Sequence, residues 1–171
     1  MKHSFSISLK LLTRIALLAA ISLILGKFLS FKLEPWGRIS LENLSVLLCG
    51  YLYGPLAGAM CGAVGDLVGC LAYGYSINPI ITLGAASIGT MAGLFGMRGV
   101  TRKPRLWLAA ASAHTVGSLI IKSIGIYVFY ATPLPTLALR IPIYLITGTI
   151  ECTLLYLILK NKGLRKIMCE L

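Results

Sequence analysis

Five ionisable residues stand in stretches of this chain that are otherwise apolar: Asp66, His114, Lys122, Arg140 and Glu151. A charge inside hydrocarbon is costly, so each such residue must either find a partner or contact something that needs it. His114, Ser118 and Lys122 are spaced i, i+4, i+8 and share one helix face. Arg140, Tyr144, Thr147 or Gly148, and Glu151 form a second stripe. Two chemistries fit Asp66, His114 and Glu151. They can satisfy one another as a buried polar network, or they can touch a ligand and move protons as acid–base groups. Lys122 and Arg140 have no obvious acidic partner at their depth. A snorkelling Lys and an interfacial Arg would account for them. Together with Lys32 and Arg38, they would also give one mouth of the protein an excess of positive charge, and Arg offers a planar fork that fits a carboxylate.

The elements that carry these residues are set by composition. Of 171 residues, 57% are hydrophobic and 12% charged, and the mean hydropathy is +0.87. A soluble domain of this length could not cover its surface with so few charges, so the class is an integral membrane protein. The net charge of +11 does not indicate nucleic acid. The basic residues gather at the two ends and in the run Arg98-Gly-Val-Thr-Arg102-Lys103-Pro-Arg105, with no aromatic-interleaved basic face. The five cysteines form no C-x-x-C pair, so no metal site is expected, and no cofactor or catalytic motif is present. The N-terminus resembles a signal peptide but lacks a small-x-small cleavage site, and reads as a retained first span.

Apolar stretches delimit spans at about 11–29, 55–73, 80–97, 106–130 and 139–159. The region 41–73 is too long for one span and is broken at Tyr53-Gly54-Pro55, where Pro suits the first turn of a new helix. Splitting it adds a short span at about 41–53. With the split, Lys2, Lys10 and Arg14, the run at 98–105 and the C-terminal Lys160, Lys162, Arg165 and Lys166 all fall on one side. Basic residues in short loops stay cytoplasmic. The expectation is a single all-α membrane domain over residues 1–171, with six transmembrane helices and both termini in the cytoplasm.

At about 1.5 Å per residue, His114 then sits roughly 13 Å above the inner end of its helix. Glu151 lies at a similar height on the antiparallel neighbour, and Arg140 lies at the outer mouth. The outer loops hold Trp36, Tyr75 and Asn78, with Tyr73, Tyr127, Phe129 and Tyr130 nearby. Aromatics at this level usually form an interfacial belt. They could also stack on a flat ligand, with Trp36 beside Arg38 the foremost candidate. Glycines at four-residue intervals, at 54, 58 and 62 and again at 89 and 93, let helix backbones approach closely.

The segments Arg14-Ile-Ala16-Leu-Leu-Ala-Ala20, Pro35-Trp-Gly-Arg38-Ile-Ser40 and Tyr53-Gly-Pro-Leu-Ala-Gly-Ala-Met-Cys-Gly-Ala-Val-Gly-Asp66-Leu-Val-Gly69 resemble those of a substrate-binding S component of an energy-coupling factor (ECF) vitamin transporter. Arg38-Ile-Ser40 ahead of the second helix is most similar to the folate-specific members. The resemblance implies a bacterial plasma-membrane protein that binds its vitamin from outside. It also implies docking on a T component driven by two ATPase subunits, with Ala16 and Ala20 matching the family's A-x-x-x-A docking motif. Folate is the favoured ligand, with Arg38, Trp36, Tyr75, Asn78, Lys122 and Arg140 as the substrate-binding residues. Another small anionic vitamin, pantothenate or niacin, is the alternative within the class. Outside it stand a small permease working alone and an intramembrane enzyme using Asp66, His114 and Glu151.

Overall fold

The structure is a computed structural model that describes residues 8–27, 30–33, 37–96, 103–161 and 163–164. Helix α1 spans Leu9–Lys27, and a short antiparallel hairpin follows, β1 Phe31–Leu33 with β2 Gly37–Ile39. Next come α2 Glu42–Tyr53, α3 Pro55–Tyr73 and α4 Pro79–Gly96. A continuous helical stretch, Lys103–Tyr130, comprises α5 Lys103–Ala113, a π-helical segment His114–Ile121 and α6 Lys122–Tyr130. A five-residue helix α7, Leu134–Ala138, leads into α8, Arg140–Lys160.

Five of these helical stretches are long and apolar enough to cross a membrane. Their outer faces carry exposed Leu, Ile and Val side chains, as lipid-facing surfaces do. Helix α2 is different. Its 12 residues span about 18 Å, short of the ~30 Å hydrocarbon core. Every residue from 43 to 51 is buried, between α1, α3 and α4. It is a central helix, and its Asn43 and Ser45 meet protein rather than lipid.

The chain turns sharply between α2 and α3 because Gly54 takes φ +96°, a conformation open to glycine, and Pro55 starts the next helix. Helices α3 and α4 then pack backbone to backbone. A Cβ on Gly89 would run into the Gly58 backbone, and one on Gly58 into Gly89. Gly58, Gly62, Gly89 and Gly93 thus serve packing within this chain, while Gly54 serves the turn.

The hairpin is an addition to the all-α expectation. Phe31 pairs with Ile39, Lys32 with Arg38 and Leu33 with Gly37. Two three-residue runs, separated by three residues that include Pro35, are too short to read as strands by periodicity. At the opposite end of the bundle three cations rest on aromatic rings. The Arg14 guanidinium lies 5.5 Å from the Tyr53 ring centroid, and Lys103 and Lys160 lie 5.0 and 6.0 Å from that of Tyr156. The start of α1, the end of α2, the start of α5 and the end of α8 therefore share one end.

Candidate ligand-binding site

A cavity of about 390 Å³ lies among the hairpin-side ends of α2, α6 and α8 and the middle of α3. Small-ligand sites commonly fall in the range of about 300–1,000 Å³. Ser40, Glu42 and Asn43 line it from the start of α2, Asp66 from α3, Lys122 from α6, and Arg140, Tyr144 and Thr147 from α8. Thr132, Thr136 and Leu137, from the α6–α8 connection, complete the wall.

The described lining carries two cations and two acids. Lys122 is buried, and its Nζ donates to Glu42 Oε1 at 3.4 Å. The sequence reading left Lys122 without an acidic partner, and that is corrected here: the partner is 80 residues away, brought in by the start of the central helix. Gly84 makes the room, since a Cβ there would meet the Lys122 side chain. Arg140 donates from Nη1 to Ser123 Oγ at 3.1 Å and from Nη2 to the Tyr144 hydroxyl at 2.9 Å. Its guanidinium also lies over the Tyr144 ring, 5.2 Å from the centroid. Two neutral partners hold the fork in one orientation, and among the described residues no carboxylate pairs with it.

The expected three-membered network of Asp66, His114 and Glu151 divides in two. His114 Nε2 lies 2.8 Å from Glu151 Oε2, with both residues buried. The contact is close but not aligned as a hydrogen bond, and Glu151 Oε1 has no hydrogen-bond partner among the described residues. Ser118 Oγ lies 3.4 Å from His114 Nδ1. This pair joins the π-helical segment to α8, and the Tyr144 ring, 5.9 Å from that of His114, carries the hydroxyl that takes the Arg140 hydrogen bond at the cavity wall. Asp66 belongs elsewhere. Helix α3 packs on α4, so its Oδ2 accepts the Thr82 hydroxyl at 2.6 Å and the residue lines the cavity.

Asn78 is buried and occupied at the start of α4. Its Oδ1 accepts the backbone N–H groups of Ile80 and Ile81, and its Nδ2 donates to the Gly125 carbonyl. Tyr75 is exposed and stacks on Tyr73 with ring centroids 6.3 Å apart. Neither residue lines the cavity. Trp36 lies outside the described residues. Of Arg38, the backbone is described, in β2 directly after that position, but the side chain is not. On α1, Ile15, Leu18, Ala19 and Ser22 are buried against the bundle, while Ala16 and Ala20 are exposed on another face.

Sequence reasoning missed Glu42, Thr82 and Ser123 as members of the site. The signal available for Glu42 is the polar run Leu41-Glu-Asn-Leu-Ser45 at the start of the short span at about 41–53.

A multi-helix membrane bundle with a ligand-sized polar cavity at one end is the form of a solute-binding membrane subunit. The sequence profile of the family described as ECF transporter, substrate-specific component, matches residues 10–161, and the chain belongs to that family. It is therefore a substrate-binding transport subunit and not an enzyme, which sets aside the intramembrane-enzyme alternative. Among solved structures it resembles FolT crystallised with folic acid, at 22% identity, TM-score 0.69, and coverage of 96% of this chain and 95% of that one. It also resembles the S component of a bacterial ECF transporter, at 21% identity, TM-score 0.70, and coverage of 90% and 95%. These likenesses establish the fold. No curated protein matches the chain.

Proposed function

We propose that this chain captures folate at the extracellular face of a bacterial plasma membrane and delivers it through a T component and two ATPase subunits. One observation carries the reading most directly. Arg140 stands in the wall of a cavity of about 390 Å³ with its fork oriented by Ser123 and Tyr144 and, among the described residues, no carboxylate on it. A ligand carboxylate fits that position. The likeness to a folate-bound fold supports the choice of vitamin.

In this reading residues 1–171 form one domain of six membrane passes, with α2 as the short buried one. The basic end of the bundle, with Arg14, Lys103 and Lys160, faces the cytoplasm, as the positive-inside rule favours. The cavity then opens outward. Lys122 and Arg140 meet the ligand from the walls, and Arg38, Trp36, Tyr75 and Asn78 act from or behind the covering loops. The exposed Ala16 and Ala20 offer a small-residue face on which a partner helix can pack closely.

Native mass spectrometry of the purified protein tests the proposal, because a tightly held vitamin should survive purification. Co-purified folate, or folate binding after refilling the emptied protein, is the expected result. Binding of pantothenate or niacin in place of folate would move the substrate within the class. Failure to bind any vitamin would overturn the reading.

A further inference from the structure

Asp66 is the charged cavity residue whose chemistry the anionic tail of a ligand does not use. It is half-buried on α3, near the middle of that helix, where an ionised carboxylate is expensive. Its Oδ2 accepts one neutral hydroxyl, from Thr82, which also reaches the Asn78 carbonyl at 3.2 Å. Its Oδ1 has no hydrogen-bond donor among the described residues. Lys122, a cation of the same lining, has its hydrogen bond to Glu42. Lys122 also feels the Asp66 charge, so the carboxylate lines the cavity near a cation, with a second oxygen able to accept N–H donors.

Arg140 supplies the complementary half from α8. The lining is thus amphoteric, with an anion-binding fork on α8 and an acceptor pair on α3. We infer that Asp66 determines specificity by accepting hydrogen bonds from a donor–donor edge of the ligand, a ring N–H beside an amino group, while Arg140 holds a carboxylate at the ligand's other end. The ligand class is an amphoteric heterocycle with an acidic tail. Two parallel N–H···O bonds to one carboxylate are the geometry such an edge makes. Nicotinate has no N–H to offer, and pantothenate has no paired edge, so Asp66 would discriminate against both by leaving its own charge unmatched. The inference rests on the proposed function, under which the edge is the 2-amino and N3–H side of the pterin ring.

The test compares wild type and Asp66→Asn with two probes, folate and its analogue carrying a methyl in place of the 2-amino group. Asn keeps an oxygen for the Thr82 hydroxyl and loses the charge and the second acceptor. Folate affinity should fall about ten- to a hundredfold in the variant, the effect of losing a hydrogen bond to a charged group. The analogue keeps N3–H and lacks only the amino donor, so the substitution should cost it clearly less than it costs folate, and its remaining affinity shows that the variant is folded. Unchanged folate affinity in Asp66→Asn, or an equal loss for both ligands, overturns the assignment while leaving the folate reading intact. A wild-type protein that ignores folate overturns that reading and this assignment with it. If Asp66→Asn cannot be purified, the wild type alone decides. It must prefer folate to the analogue by at least about tenfold, and equal affinities overturn the assignment.

Discussion

Lys122 Nζ lies 3.4 Å from Glu42 Oε1, which ties the start of the central helix to the end of the π-helical segment across the cavity wall. Lys122 is 7% exposed, so its charge depends on that carboxylate. Removing Glu42 takes away the largest compensating charge on the buried Lys122, whereas removing both takes away the charge and its partner together. Glu42→Gln should therefore lower the melting temperature of the ligand-free protein. The double variant with Lys122→Met should recover part of the loss. A double-mutant cycle on thermal unfolding should give a coupling of about 1–3 kcal/mol, and additivity would show that the two residues do not interact.

Arg140 holds its fork between Ser123 and Tyr144. Arg140→Ala should weaken folate binding about ten- to a hundredfold by titration calorimetry. Arg140→Lys should restore only part, because an ammonium cannot make the bidentate contact. Full rescue by Lys would reduce the role of Arg140 to simple charge.

Ala16 and Ala20 are exposed on α1, away from the buried Ile15, Leu18 and Ala19. Changing both to Leu should leave folate binding by the isolated subunit within about twofold and sharply reduce uptake by the assembled transporter, since a bulky face keeps a partner helix at a distance. Equal loss of binding and uptake would place these alanines in the folding of the subunit itself.

The orientation is checked by single cysteines at Lys103 and Thr132 in a background without the native thiols. An impermeant maleimide applied to intact cells should label position 132 and spare position 103. The reverse pattern would turn the cavity inward and end the proposal of capture from outside.

The packing of α3 on α4 is tested at Gly89, where a Cβ would enter the Gly58 backbone. Gly89→Val should destabilise the protein by at least about 1–3 kcal/mol, the usual scale of overpacking, as a lowered unfolding temperature in detergent. Gly74→Ala is a comparison of another kind, since its φ of +67° strains the residue although a Cβ there meets nothing.

The membrane class, the break at Gly54-Pro55 and the approximate helix limits were legible in the residues themselves. Each depends on local properties: hydropathy summed along a window, a proline without an N–H, a glycine able to reach positive φ. The family was legible too, because its motifs are contiguous. Partnerships across the bundle were not. Lys122 with Glu42, Asp66 with Thr82 and Arg140 with Ser123 join residues 80, 16 and 17 positions apart, and nothing along the chain records which helix faces meet. The sequence placed His114 and Glu151 at similar depth, and depth is all that helix rise can supply. Tertiary packing decided that α3 turns Asp66 to α4 and the cavity, while α8 turns Glu151 to His114 on the π-helical segment. Rotation of a helix about its axis is set by which face its neighbours bury, and only the assembled bundle contains that information.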